Sequence, residues 1–155
     1  MDTLLTAKLR IIGKGGKDKQ VSVVAASEDS TTGARADDFC ASLARSLGTE
    51  YAFNKQSWPL TELRLPQLRA IAAEEAARAD MVIVSVHHAE ALPAELTNWI
   101  EQWVHHKHKR VRVLLALFDP IQQGVCATIR AYLADIAQQA HIDFLAQSEE
   151  TMAEA

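Results

Sequence analysis

Three short stretches carry most of the side chains able to act on a ligand. Glu28 and Asp29 set two carboxylates side by side, and Ser30, Thr31, Thr32 and Gly33 follow with three hydroxyls and a glycine. Ser85 precedes the pair His87 and His88 by two residues. Asp119 and Gln147 add an acid and an amide, and Trp58 stands between Lys55 and Glu62. Carboxylates beside imidazoles are the groups used for general acid–base chemistry or divalent-metal ligation. Hydroxyls and a glycine ahead of a helix suit a phosphate. Plain structural roles weigh against both: hydroxyls that cap a helix, and a histidine hydrogen-bonded at a rim. No nucleophile–base spacing emerges, so no catalytic residue and no metal site is assigned.

The other histidines fall elsewhere. His105, His106 and His108 sit within HHKHKR, a cationic end that the dipole of a preceding helix favours. A strand of five or six residues, about 17–20 Å long, separates them from His87, so the two groups cannot share one ion. The glycine-rich stretch at 13–19, GKGGKDK, lacks the GKS/T ending and precedes a strand, which makes it a turn or linker.

The elements that must position these residues follow from periodicity. Short β-rich runs alternate with longer helical ones, the pattern of βαβ units around a parallel sheet. Strands are predicted over 21–26, 51–54, 81–86, 111–118 and 142–145. Those at 81–86 and 111–118, apolar on both faces, should be central. Helices are predicted over 34–47, with Gly48 as the stop, then 66–79 with Leu68, Ile71, Ala72, Ala76 and Ala79 inward. Two more are predicted, over 93–106 with Leu96, Trp99, Ile100 and Trp103 inward, and over 125–140. The segment 55–65 is long for a βα connection, either a lid or a loop that tucks Trp58, Leu60 and Leu63 onto the second helix.

Right-handed crossovers and the usual order 2-1-3-4-5 give a three-layer, doubly wound, flavodoxin-like α/β domain. Ligands then belong at the carboxyl ends of the first and third strands, where Glu28, Asp29, Ser85 and His87 converge. The terminal helix usual in such folds is missing, because only a short polar stretch follows the last strand. One sheet face beside the first helix therefore needs a cover. Residues 1–20 are predicted to supply it, as a helix or extra strand through Leu4, Leu5, Leu9, Ile11 and Ile12, or a partner subunit does, which makes a homodimer the expected assembly. Residues 21–148 form the domain and 149–155 an acidic tail.

Two families with this topology carry functional residues on the same rim. Glu28-Asp29 resembles the acidic magnesium-binding pair of receiver domains. The stretch DMVIVSV at 80–86 is similar to their third strand, but Ser85 stands at the phospho-accepting aspartate. HIDFLAQS at 141–148 resembles their fifth strand, with Gln147 in place of the lysine. A serine forms no acyl phosphate and a glutamine supplies no cation, so the resemblance implies a degenerate receiver. Ser30–Gly33 resembles the phosphate loop of flavodoxins and implies FMN or a nucleotide as a possible ligand, although Glu28 and Asp29 repel an anion. WPLTELRLPQLRAIAAEEAARA and the following strand resemble small bacterial proteins of unknown function, and this likeness implies a fold without an activity.

Bulk properties set the outer limits. A chain of 155 residues can bury roughly two-thirds of its unfolded surface in one core. The net charge is −4. Residues 1–20 hold five basic side chains against two acidic ones, net +3, which leaves −7 for the rest. Neither nucleic acid nor an anionic membrane is an expected main partner. No apolar run approaches a membrane span and the start has no secretory pattern, so a cytoplasmic location is expected. Cys40 and Cys126 lie in helical patterns as buried thiols. The reading that follows is a non-catalytic interaction module without a cofactor, with an FMN- or nucleotide-binding protein as the alternative.

Overall fold

A computed structural model describes residues 20–48, 51–87, 92–107, 109–118 and 127–148. Strand β1 (Gln20–Ser27) leads into α1 (Ser30–Leu47), and β2 (Ala52–Pro59) into the short α2 (Leu60–Leu63) and α3 (Pro66–Arg78). Then come β3 (Met81–Ser85), α4 (Ala94–Val104), β4 (Val113–Phe118), α5 (Ala127–Gln139) and β5 (Asp143–Ser148). All four strand pairings are parallel and the order is β2-β1-β3-β4-β5. This is the doubly wound, flavodoxin-like α/β arrangement expected from the sequence.

Every residue of β3 and β4 is buried, as runs that are apolar on both faces require. Alternate side chains feed two cores. Val82, Val84, Leu114, Ala116 and Phe118 meet α2, α3, α4 and α5, where Trp99 and Trp103 stack edge to face with centroids 6.0 Å apart. On the opposite face Met81, Ile83, Val113, Leu115 and Leu117 belong with Phe39, Cys40, Leu43 and Leu47 of α1.

Three expectations change. The segment after residue 54 is mostly strand: β2 pairs with β1 through all eight residues to Pro59. Its polar KQS sequence suits an edge, where one side of the ladder and much of both faces meet water. No lid forms there, and α2 tucks Leu60 and Leu63 into the core. Helix α1 starts at Ser30, four residues earlier than periodicity suggested. Ile71 points outward, 48% exposed, because the inward ridge of α3 is Ala72, Ala73, Ala76 and Ala77. The methyl side chains of that ridge let the helix lie close to the sheet and to α4.

Gly48 ends α1 with φ 89°, and its N–H donates to Ala44 O at 3.2 Å. A side chain would strain that backbone. At the end of α5 the left-handed residue is His141, φ 59°. His141 N–H donates to Gln138 O at 3.2 Å and Ile142 N–H to Ala137 O at 2.8 Å, a Schellman closure without glycine.

Candidate functional site

The carboxyl end of β1 turns into α1 through a reciprocal cap. Asp29 Oδ1 accepts the backbone N–H of Thr32 at 2.9 Å, while Thr32 Oγ1 accepts those of Glu28 at 2.9 Å and Asp29 at 3.0 Å. Asp29 is the N-cap and Thr32 sits three residues on, so orphan donors at both ends of the turn are satisfied. Ser30 to Gly33 are therefore the first turn of the helix rather than a loop before it. Gly33 lets α1 lie against β1: a Cβ there would stand 3.3 Å from Ser27 Oγ.

His87, just past β3, closes onto this cap from across the sheet. Its Nε2 lies 2.7 Å from Asp29 Oδ2, and since a carboxylate only accepts, the ring nitrogen is the donor. Its backbone N–H donates to Glu28 Oε1 at 3.1 Å. The Thr32 amide, then the His87 bond, hold the Asp29 carboxyl below its usual 3.8 despite some desolvation. The Ser85 side chain is completely buried and donates to Thr32 O at 2.7 Å. The hydroxyl that stands where receiver domains place their aspartate thus fastens β3 to the first turn of α1.

The structure brings Glu28, Asp29, Thr32, Ser85 and His87 together and leaves Ser30 and Thr31 exposed beside them. Trp58 does not join them. Its indole N–H donates to Glu75 Oε1 of α3 at 2.8 Å, and its ring packs on the core of the opposite face. Gln147 falls in the strand row of Ser27, Ser85 and Leu117, two strands from Ser85 and so roughly 10 Å away. His88 and Asp119 lie outside the described residues, as do His108, Cys126, residues 1–19 and the acidic tail. Among the described residues no group of three or more His, Cys, Asp or Glu side chains could hold a metal ion.

Sequence reading missed Arg35. It is buried in the stripe Thr32, Arg35, Ala36, Phe39, and its Nη1 donates to Val86 O at 3.3 Å, tying α1 to the chain just before His87. A charge at a core position of the helical period was the available signal. Asp80 opens the stretch that resembles the receiver third strand, and it has a structural role of its own. Its carboxylate accepts the Ser22 N–H at 2.9 Å at the opposite edge of the sheet. His105 also has a carboxylate partner four residues back, Glu101 Oε2 at 3.0 Å, and Glu101 Oε1 accepts from Tyr132 at 3.2 Å. Burial, then Glu101, pushes the Tyr132 hydroxyl up to about 12.

No protein-family model matches the sequence, and no curated protein matches it significantly. Among solved structures, the Trp repressor binding protein from Bacillus subtilis is similar with a TM-score of 0.52, at 11% identity over 83% of this chain and 84% of that one. A likeness at that identity defines a shared fold, the flavodoxin-like α/β class, and nothing narrower. Among the described residues no helix is long and apolar enough to cross a membrane.

Proposed function

We propose that this chain is a non-catalytic flavodoxin-like module that works through protein contacts. One observation carries the reading: Glu28, Asp29, Thr32, Ser85 and His87 at the carboxyl edge are bonded to one another. Asp29 fills the Thr32 amide that an anion would need, Glu28 takes the His87 N–H, and the Ser85 hydroxyl is buried against Thr32 O. A phosphate would have to displace one carboxylate and sit beside another. Two exposed apolar side chains, Leu65 and Ile71, offer surface suited to a protein contact. The Bacillus subtilis neighbour, named for binding a repressor protein, shows that the fold also occurs in a protein named for a protein contact. A second copy of this chain is the first partner to test.

The purified protein is expected to be colourless, to leave FMN fluorescence unquenched on titration, and to gain no mass from acetyl phosphate with magnesium. Saturable FMN quenching would instead support the second reading, a flavin or nucleotide held at Ser30, Thr31 and Gly33. That reading draws on the exposed hydroxyls at the N-terminus of the 18-residue helix α1. A gain of one phosphoryl group would overturn the degenerate receiver likeness.

A further inference from the structure

Val113, Leu115 and Leu117 of β4 are fully buried, together with Ile83 of β3, on the face that carries α1. Helix α1 packs mainly on β1, β2 and β3, and the other described helices pack into the core of the opposite face. Apolar side chains on the β4 and β5 part of this face would meet water if α1 were their whole cover. Val113, Leu115 and Leu117 are nevertheless fully buried within a single chain, with Leu145 of β5 half-buried beside them, so a second copy is not needed to cover β4.

We propose that residues 1–19 lie over this face and supply its cover. The remaining segments outside the described residues are poor candidates. Residues 49–50 and 88–91 are too short. Residues 119–126 join β4 to α5, which belongs to the opposite core. Residues 149–155 hold one large apolar side chain, Met152. Residues 1–19 hold Leu4, Leu5, Leu9, Ile11 and Ile12, which share one side of a helix.

Reach and charge agree with this placement. From β1, where the segment joins the sheet at Gln20, β4 is two strands or roughly 10 Å away. Residues 13–19, rich in glycine and lysine, span up to about 23 Å when extended. Five basic side chains in the segment complement Asp143, which pairs with Val113 at the rim of the patch, and an otherwise acidic body. Sheet faces in layered domains are closed by a helix laid across them.

Two measurements on the full-length chain test this placement. The first joins Leu9→Cys to Leu145→Cys with a short bismaleimide, in a chain carrying Cys126→Ser. Cys40 stays unreactive because burial pushes its thiol up to about 12. An intrachain cross-link, seen as a faster-migrating monomer, is the expected result. A cross-linked dimer would assign the cover to a second copy and overturn the proposal, as would the absence of any cross-link. The second measurement is urea unfolding of Leu9→Asp. A folding equilibrium constant at least roughly tenfold lower, with a midpoint independent of protein concentration, is expected. An unchanged or concentration-dependent midpoint would overturn the proposal.

Discussion

Asp29 does two jobs with one carboxylate, capping α1 through Oδ1 and accepting from His87 through Oδ2. Asp29→Ala is expected to lower stability by about 1 kcal/mol, the usual worth of an N-cap, measured by urea unfolding. Because the folded carboxyl titrates below its usual 3.8, its contribution is complete above that value and is lost as the pH falls through the depressed folded one. Asp29→Asn should therefore lower stability on the neutral side, flatten the acid limb of the profile, and leave stability below the depressed value unchanged. Ser85 yields a sharper expectation. Ser85→Asp restores the receiver-like residue but buries a carboxylate beside the Thr32 carbonyl, so it should cost roughly 3 kcal/mol or more and confer no phosphorylation. A stable, phosphorylatable variant would show that the rim is far more adaptable than its hydrogen bonds indicate.

At the level of elements, legibility followed burial. The two-sided apolar runs of β3 and β4 and the Trp99–Trp103 stripe of α4 announced themselves because burial on both faces or along one stripe leaves a simple period. Strand β2 did not, since an edge strand can be polar and KQSW reads as loop until its pairing with β1 is seen. The start of α1 was hidden in the same way, because Ser30, Thr31 and Gly33 are poor helix residues and only the Asp29–Thr32 cap makes them helical. The candidate site was half legible: the topology brought Glu28, Asp29 and His87 together. Nothing local in sequence could show that they satisfy one another, since each of those bonds joins residues more than fifty apart or depends on a cap. The left-handed His141 is a further case, with no glycine to mark it. His141→Gly should stabilise the chain by about 0.5–1 kcal/mol by relieving that backbone, read as a higher thermal midpoint.

The described residues form two cores that share the strands β1, β3 and β4. Loss of one face removes support from the other, so unfolding is expected to be a single transition. All three tryptophans report on the α3–α4 side, whereas far-UV circular dichroism reports on every helix. The two signals should give coincident midpoints, and an earlier dichroism change would reveal α1 melting separately.

The two outer strands of the described sheet are unlike each other. On β2, Pro59 offers no N–H, and Lys55, bonded to Asp37 of α1, sets a charge against any incoming strand. On β5, Phe144, Leu145 and Ala146 form a half-buried apolar run beside an open ladder. Of the two described edges, β5 is therefore the one from which fibre growth or crowding-induced association would proceed. A gatekeeper charge placed on β5 is the change that should keep concentrated solutions clear.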